Sequence, residues 1–291
     1  MSLHVLGERF LTIGDQRVRY VVSGHGDPIL LLHGLPACVL DWRALRAPLA
    51  RLGRVIAVDL AGFGLTDPSP DGDVSAPGLA RFTARFLDAL GEERPALLVG
   101  HSNGGAVAQV LAAEEPARVR GLVLVGSIGF PLPVASIPLL RSATVRQTIL
   151  GAYHALPRPL LRALLRQILE RNYVEQNYME EHFRWAEALI RDPGALERVL
   201  RCAASMNADL HKRIAPQIPV PTLIVHGEND RMVPPAVAEN LRRAIPRARL
   251  VLVRGGSHMI HVEQAPAVAA LVEEFAGTLA AMRRAAPAGG G

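Results

Sequence analysis

The chain has little of what disulfide-rich, metal-cluster and membrane-spanning proteins depend on. Its 291 residues include two cysteines, Cys38 and Cys202, which form neither a disulfide framework nor the ligand spacing of a metal site. The first ten residues lack a basic segment followed by a long apolar one, and no apolar run reaches the length of a membrane span. We therefore expect a soluble, cytoplasmic protein with no metal and no membrane span.

Aromatic residues are also scarce, at 4%, and the basic residues are not clustered. The net charge is +5, but the 32 basic residues are almost all arginines scattered singly along the chain. Nucleic-acid-binding proteins combine dense basic patches with stacking aromatics. We therefore expect a solvated basic surface and no nucleic-acid partner, while the oligomeric state stays open.

Short apolar runs alternate with helical segments through most of the chain. The residues are 49% hydrophobic, enough for one large domain or one domain with an insertion. Continuous apolar runs are typical of strands buried on both faces. They predict an α/β fold with a doubly wound, mostly parallel sheet. The strand segments, of which the first two form a hairpin, are 9–13, 17–23, 28–32, 54–58, 95–99, 119–125, 222–225 and 249–253.

Residues 128–214 break this alternation, because they are helical in pattern, rich in arginine and punctuated by proline. We expect a helical cap inserted after the sixth strand, a core formed by residues 1–127 and 215–284, and a disordered tail at 285–291. Insertions at such strand ends lie over ligand sites. Tyr153, Tyr173 and Trp185 of this segment are therefore candidate substrate contacts, with core packing as the alternative for each.

The pentapeptide Gly100-His101-Ser102-Asn103-Gly104 is the strongest sign of chemistry. It lies between a strand segment and a run of small residues typical of a helix. A serine on a sharp strand-to-helix turn has a strained backbone and an exposed hydroxyl, and flanking glycines avoid clashes there. The first N–H groups of the helix also stabilise negative charge. This pattern predicts that Ser102 is a nucleophile.

A serine hydroxyl is a poor nucleophile at neutral pH and needs a base that a carboxylate orients. Two later strand segments each lead into a loop with suitable residues. One loop offers Glu228 or Asp230 as the acid, and the next offers His258 or His261 as the base. The order of serine, acid and histidine along the chain is the one expected for this arrangement.

With these motifs the chain resembles the α/β-hydrolase superfamily, with a helical cap between the sixth and seventh strands. The resemblance implies that Asp230 is the acid, because the superfamily places the acid last in its loop. It implies that His258 is the base, because the base directly follows a glycine-rich turn. The matching motifs, which span nearly the whole chain, are His33-Gly34-Leu35-Pro36, Asp59-Leu60-Ala61-Gly62-Phe63-Gly64, Gly100-His101-Ser102-Asn103-Gly104-Gly105, His226-Gly227-Glu228-Asn229-Asp230 and Gly256-Ser257-His258 through Glu263 and Pro266.

The same resemblance assigns supporting roles. The backbone N–H groups of Leu35 and Asn103 would form the oxyanion hole, which stabilises charge without reorganisation. His33 would hold its loop, and Asp59 would belong to a structural turn. The resemblance implies no cofactor.

We expect a serine hydrolase of carboxylesterase type, acting on an apolar small-molecule ester or lactone through an acyl-enzyme. Alternatives with the same triad are a lactonase, a carbon–carbon bond hydrolase of ring-cleavage products and a cofactor-free perhydrolase. Carbon–carbon bond hydrolases have a tryptophan directly after the catalytic histidine, where this chain has Met259. A small-ligand receptor with an intact triad is a further alternative, of a different class.

Overall fold

The computed structural model describes residues 7–132, 137–170, 179–180, 183, 186 and 193–285. These residues form a single sheet of eight strands with helices packed on both faces. The strands are β1 (Glu8–Ile13), β2 (Gln16–Ser23), β3 (Pro28–Leu32), β4 (Arg54–Val58), β5 (Ala96–His101), β6 (Val119–Val125), β7 (Thr222–Gly227) and β8 (Ala248–Val253).

The strand order is β1-β2-β4-β3-β5-β6-β7-β8. β2 is antiparallel to both of its neighbours, and all other neighbouring strands are parallel. Leu32 at the end of β3 is in register with Val58 of β4 and Gly100 of β5. The carboxyl ends of these strands therefore meet at one edge, and the predicted doubly wound, mostly parallel sheet is confirmed.

The continuous apolar runs arise because successive residues face two different cores. In β3, Leu30 and Leu32 belong to one core, and Ile29 and Leu31 belong to the other. Both faces of the central strands are buried, so no position in them can be polar without a buried partner.

Helices cover these two cores. α2, α3, α7 and α8 pack in the first core, and α1, α9 and α10 pack in the second. The helices are α1 (Arg43–Leu49), α2 (Ala76–Ala89), α3 (Asn103–Glu114), α4 (Ala143–Ala155), α5 (Arg158–Glu170), α6 (Pro193–Ser205), α7 (Ala208–Ile214), α8 (Pro235–Ala244), α9 (Ile260–Glu263) and α10 (Ala265–Ala285).

Among the described residues between β6 and β7 are the helices α4 to α7 and the helical residues 179–180, 183 and 186, and these described residues include no strand. The Arg198 side chain of α6 donates to the Gly62 carbonyl at 2.7 Å, so this segment contacts the loop after β4. A small third core joins the segment to the loop after β8. Its buried residues are Leu169, Met179, Phe183, Ala186, Met259 and Val262. The predicted cap boundaries of 128–214 stay a prediction.

Some element boundaries differ from the expected ones. The pattern over residues 42–52 predicts a helix, whereas α1 spans only Arg43–Leu49. The run of small residues over 105–113 predicts the helix after the serine, which begins two residues earlier, at Asn103. α10 continues to Ala285, and the rest of the predicted tail lies outside the described residues. By length and composition α10 could cross a membrane, but its inner face packs in the second core.

Candidate active site

Ser102 occupies the turn between β5 and α3. With φ 51° and ψ −116°, it is the one non-glycine residue with a positive φ among those described. Such a backbone costs on the order of 1–3 kcal/mol and persists only where the surroundings fix it. Here the Ser102 N–H donates to Val125 O at 3.0 Å, and Ser102 O accepts from Ile128 N at 3.1 Å. The strained serine predicted from the pentapeptide is therefore present in the fold.

Glycines around Ser102 allow three segments to meet. A Cβ on Gly104 would lie 2.1 Å from Leu32 O, so α3 packs directly against the end of β3. A Cβ on Gly34 would lie 3.0 Å from the Cβ of Ser102, so the loop after β3 covers the serine. As a result Ser102 is only 8% exposed, whereas the sequence pattern predicted a hydroxyl open to solvent.

Asp230 and His258 form a buried carboxylate–imidazole pair at the same sheet edge. The His258 Nδ1–H donates to Asp230 Oδ2 at 2.8 Å. The other carboxylate oxygen, Oδ1, accepts from the backbone N–H groups of Met232 and Val233 at 2.9 and 2.8 Å. Three hydrogen bonds therefore hold the Asp230 carboxyl group in place, and a neutral His258 that donates from Nδ1 has its lone pair on Nε2.

Two residues connect this pair to the serine turn. A Cβ on Gly126 would lie 3.4 Å from both Asp230 Oδ2 and His258 Nδ1, and Gly126 directly follows Val125, the residue that accepts from Ser102 N. The His101 Nε2–H donates to the His258 backbone carbonyl at 3.0 Å. The structure therefore brings Ser102, Asp230 and His258 to one edge of the sheet, after the ends of β5, β7 and β8, with β6 lying between β5 and β7.

The two residues assigned to the oxyanion hole lie in segments that pack against Ser102. Asn103 is the first residue of α3, a 12-residue helix whose N-terminus carries partial positive charge. Leu35 follows Gly34 in the loop that covers the serine. His33 holds that loop, since its Nδ1–H donates to Gly34 O at 2.8 Å and its Nε2 accepts from Leu60 N at 2.9 Å. Burial lowers the pKa of His33, which suits this neutral role.

The competing acidic candidates have other partners. Asp59 accepts from the Arg19 side chain at 2.6 Å and from the N–H groups of Val39 and Leu65, both at 2.7 Å. It therefore fixes the turn, as expected. Glu228 is exposed and accepts from Gly255 N at 3.3 Å.

His261, the competing base, is buried between two rings. Its centroid lies 5.0 Å from that of Trp42 and 4.0 Å from that of His101. His261 thus contacts aromatic rings, whereas His258 forms a hydrogen bond with the Asp230 carboxylate through Nδ1.

Sequence reasoning missed the part that His226 plays. Its Nε2–H donates to Val233 O at 2.8 Å, and Nε2 lies 3.4 Å from Asp230 Oδ2. The His226 side chain therefore holds the loop that carries Asp230 in place from the interior. Burial lowers the pKa of His226, which keeps this donor neutral. Its place at the carboxyl end of β7, directly before Gly227, was the available signal.

Of the three candidate substrate contacts, Tyr153 lies on α4 and is partly buried, with its ring edge-on to His154 at 5.5 Å. Tyr173 and Trp185 lie outside the described residues.

Known proteins share this architecture. The family description that matches the chain is the alpha/beta hydrolase fold, over residues 27–265. A 2-hydroxymuconate semialdehyde hydrolase of Pseudomonas sp. (strain CF600) is 30% identical over 260 residues, covering 87% of this chain and 88% of the relative.

Two solved structures of hydrolases also resemble this chain over most of its length. A meta-cleavage product hydrolase from Pseudomonas fluorescens IP01 has a TM-score of 0.75 and 25% identity, covering 92% of this chain and 96% of its own. A thermophilic esterase from Thermogutta terrifontis has a TM-score of 0.76 and 25% identity, covering 94% of this chain and 98% of its own.

Proposed function

The chain belongs to the alpha/beta hydrolase family, and from that premise we propose that it cleaves carboxylic esters of apolar small molecules through an acyl-enzyme on Ser102. The family membership confirms the prediction of a hydrolase. The observation that carries the finer proposal is a strained serine next to a buried Asp230–His258 pair bonded at 2.8 Å.

In this proposal a named residue takes part in each step that forms or breaks a bond. Ser102 Oγ attacks the carbonyl carbon while His258 Nε2 accepts the hydroxyl proton. The bond to the leaving alcohol breaks, and His258 returns the proton to that alcohol. Water then attacks the acyl-enzyme by the same route, which releases the acid and restores Ser102.

Charge develops on the substrate carbonyl oxygen during each attack. The backbone N–H groups of Leu35 and Asn103 stabilise it in our proposal, because both lie in the segments packed against Ser102 and need no reorganisation. Asp230 stabilises the imidazolium that forms at the same moment.

The helical segment between β6 and β7 supports an apolar substrate. Leu139, Leu160 and Leu164 of this segment are exposed, so the segment presents apolar side chains outside the buried cores. The third core, which includes Phe183 and Met259, places further apolar side chains beside the base loop, which is residues 254–259 between β8 and α9. An apolar acyl or alcohol group suits such surroundings.

Hydrolysis of a carbon–carbon bond in a ring-cleavage product is a second candidate. The likeness to the 2-hydroxymuconate semialdehyde hydrolase, at 30% identity over most of both chains, favours it. Met259 directly after His258 argues against it, because such enzymes carry a tryptophan there. Met259 is 2% exposed and packs in the third core instead.

One substrate panel tests both candidates. It contains p-nitrophenyl esters of rising acyl length, a lactone, an amide and a vinylogous 1,5-diketone ring-cleavage product. We expect the esters to have the highest kcat/KM. A preference of at least tenfold for the diketone would transfer the proposal to the second candidate.

Ser102→Ala tests the nucleophile on the best substrate. We expect turnover to fall by on the order of 10³-fold or more, because the members of a triad act as a unit. The matched control is Ser127→Ala, which removes a buried hydroxyl bonded to Gln109 and Ile128. A folded Ser102→Ala variant that is as active as the control would refute the proposal.

A further inference from the structure

Three ionisable side chains outside the proposed triad converge in the interior behind His258. Asp41 lies in the 3-10 helix Val39–Trp42, His101 ends β5 and His261 lies in α9. Each offers one ligand atom, and these atoms all lie within 4.8 Å of one another. All three residues are at most 2% exposed. We call them the Asp41 cluster.

The Asp41 carboxylate is the unusual member. It is 1% exposed, and neither of its buried oxygens has a hydrogen-bond partner. Burial raises the pKa of Asp41 to about 7, because an anion without hydrogen bonds is costly in the interior. A positive charge beside these oxygens would remove that cost.

The bonding of His101 leaves a lone pair on its other ring nitrogen. The His258 carbonyl can only accept, so His101 Nε2 carries the hydrogen of their 3.0 Å bond. A neutral His101 therefore has its lone pair on Nδ1 and would coordinate through that atom. Metal-ligating histidines ordinarily bond the other ring nitrogen to a carbonyl or carboxylate in this way.

The spacing of the cluster suits a single ion. Since the three ligand atoms are no more than 4.8 Å apart, there is a point that lies within about 2.8 Å of all three. Zinc bonds of about 2.0–2.2 Å to nitrogen and oxygen need an inward movement of less than about 1 Å. Two imidazoles with one carboxylate also form a donor set that divalent transition metals accept.

We propose that Asp41, His101 and His261 bind one divalent transition-metal ion, with Zn²⁺ as the probe. The three ligands belong to the segments that carry the proposed active site. His101 directly precedes Ser102, His261 follows His258 by three residues, and Asp41 follows Leu35 by six. An ion there would tie these segments together from inside the fold.

The test measures metal content and thermal stability of the full-length, tag-free protein, so it does not depend on the proposed hydrolysis. The protein is unfolded with chelator and refolded with or without Zn²⁺. We expect about one Zn²⁺ per chain, a higher Tm with zinc, and d–d absorption bands of a low-coordinate site when Co²⁺ is used instead.

Two variants remove the site by different means. Asp41→Asn removes the charge with little change of shape, and His261→Phe keeps an aromatic ring against Trp42. Both should bind far less than one ion per chain and lose the zinc-dependent rise in Tm. Glu92→Gln is the control, because Glu92 is a buried carboxylate paired with Arg54 and Arg94 away from this cluster.

If a variant fails to fold, the zinc content and Tm of the wild-type protein still test the proposal. Refolded wild-type protein without bound zinc, or with the same Tm in both conditions, would overturn the proposal. So would folded variants that retain one tightly bound ion per chain.

Discussion

Replacing Asp230 by Asn should remove catalysis while preserving the fold, and the contacts of Asp230 explain why. The backbone N–H groups of Met232 and Val233 donate to Oδ1. They will keep the oxygen of an Asn amide on that side, so its NH₂ group will face His258 Nδ1. His258 must then accept at Nδ1 and carry its hydrogen on Nε2, where it cannot take a proton from Ser102.

The wrong tautomer costs about 10⁴-fold in kcat where a triad of this type operates, which corresponds to about 5 kcal/mol of transition-state stabilisation. The assay is kcat/KM with the best p-nitrophenyl ester, with circular dichroism as the check on folding. Glu228→Gln is the matched control, since Glu228 is the neighbouring exposed carboxylate. An Asp230→Asn enzyme within tenfold of the wild type, or an inactive Glu228→Gln enzyme, would refute the reasoning.

Four further predictions follow from the same geometry. His258→Ala should abolish ester turnover and His261→Ala should reduce it modestly; the reverse result in steady-state assays would move the base to His261. Ester turnover should persist after exhaustive EDTA treatment and stop with an organophosphonate, because the nucleophile is a serine; loss on chelation that added metal restores would contradict this. Tyr153→Ala should change the profile of kcat/KM against acyl length, since each buried methylene contributes about 0.8 kcal/mol; a profile parallel to wild type would make Tyr153 a packing residue. Burial lowers the pKa of His211 to about 4 from 6.5, so protonation favours the unfolded chain and the free energy of unfolding should fall as pH drops from 6.5 towards 4; in urea titrations His211→Gln should make this fall less steep, and an unchanged slope would be evidence against it.

The sequence was informative wherever one segment carries the whole signal. The apolar run ending at Leu32 predicted a strand buried on both faces, and the glycines around Ser102 predicted the strained turn. The loops after β7 and β8 offered candidates for the acid and the base, and the resemblance to the superfamily favoured Asp230 over Glu228 and His258 over His261. Such features depend on neighbouring residues in the chain, and therefore on patterns that can be read without knowing the strand order.

Contacts between distant segments could not be predicted in this way. The approach of Asp41 to His101 and His261 depends on β3 lying between β4 and β5, an order that no local pattern contains. The bond from His101 to the His258 carbonyl joins residues 157 positions apart. The contact of His226 with Val233 also was not predicted, because a histidine in an apolar strand is interpreted as a packing residue when its hydrogen-bond partner is not known.

The third core has a consequence for protein engineering. Helical insertions between β6 and β7 are attractive units to exchange between relatives when a new specificity is wanted. Here, however, Met259 of the base loop and Val262 of α9 belong to the same buried cluster as Leu169 and Phe183 of that insertion. A chimaera that exchanges the insertion alone would leave the residue next to His258 without its neighbours, so the base loop and the insertion have to be transplanted together.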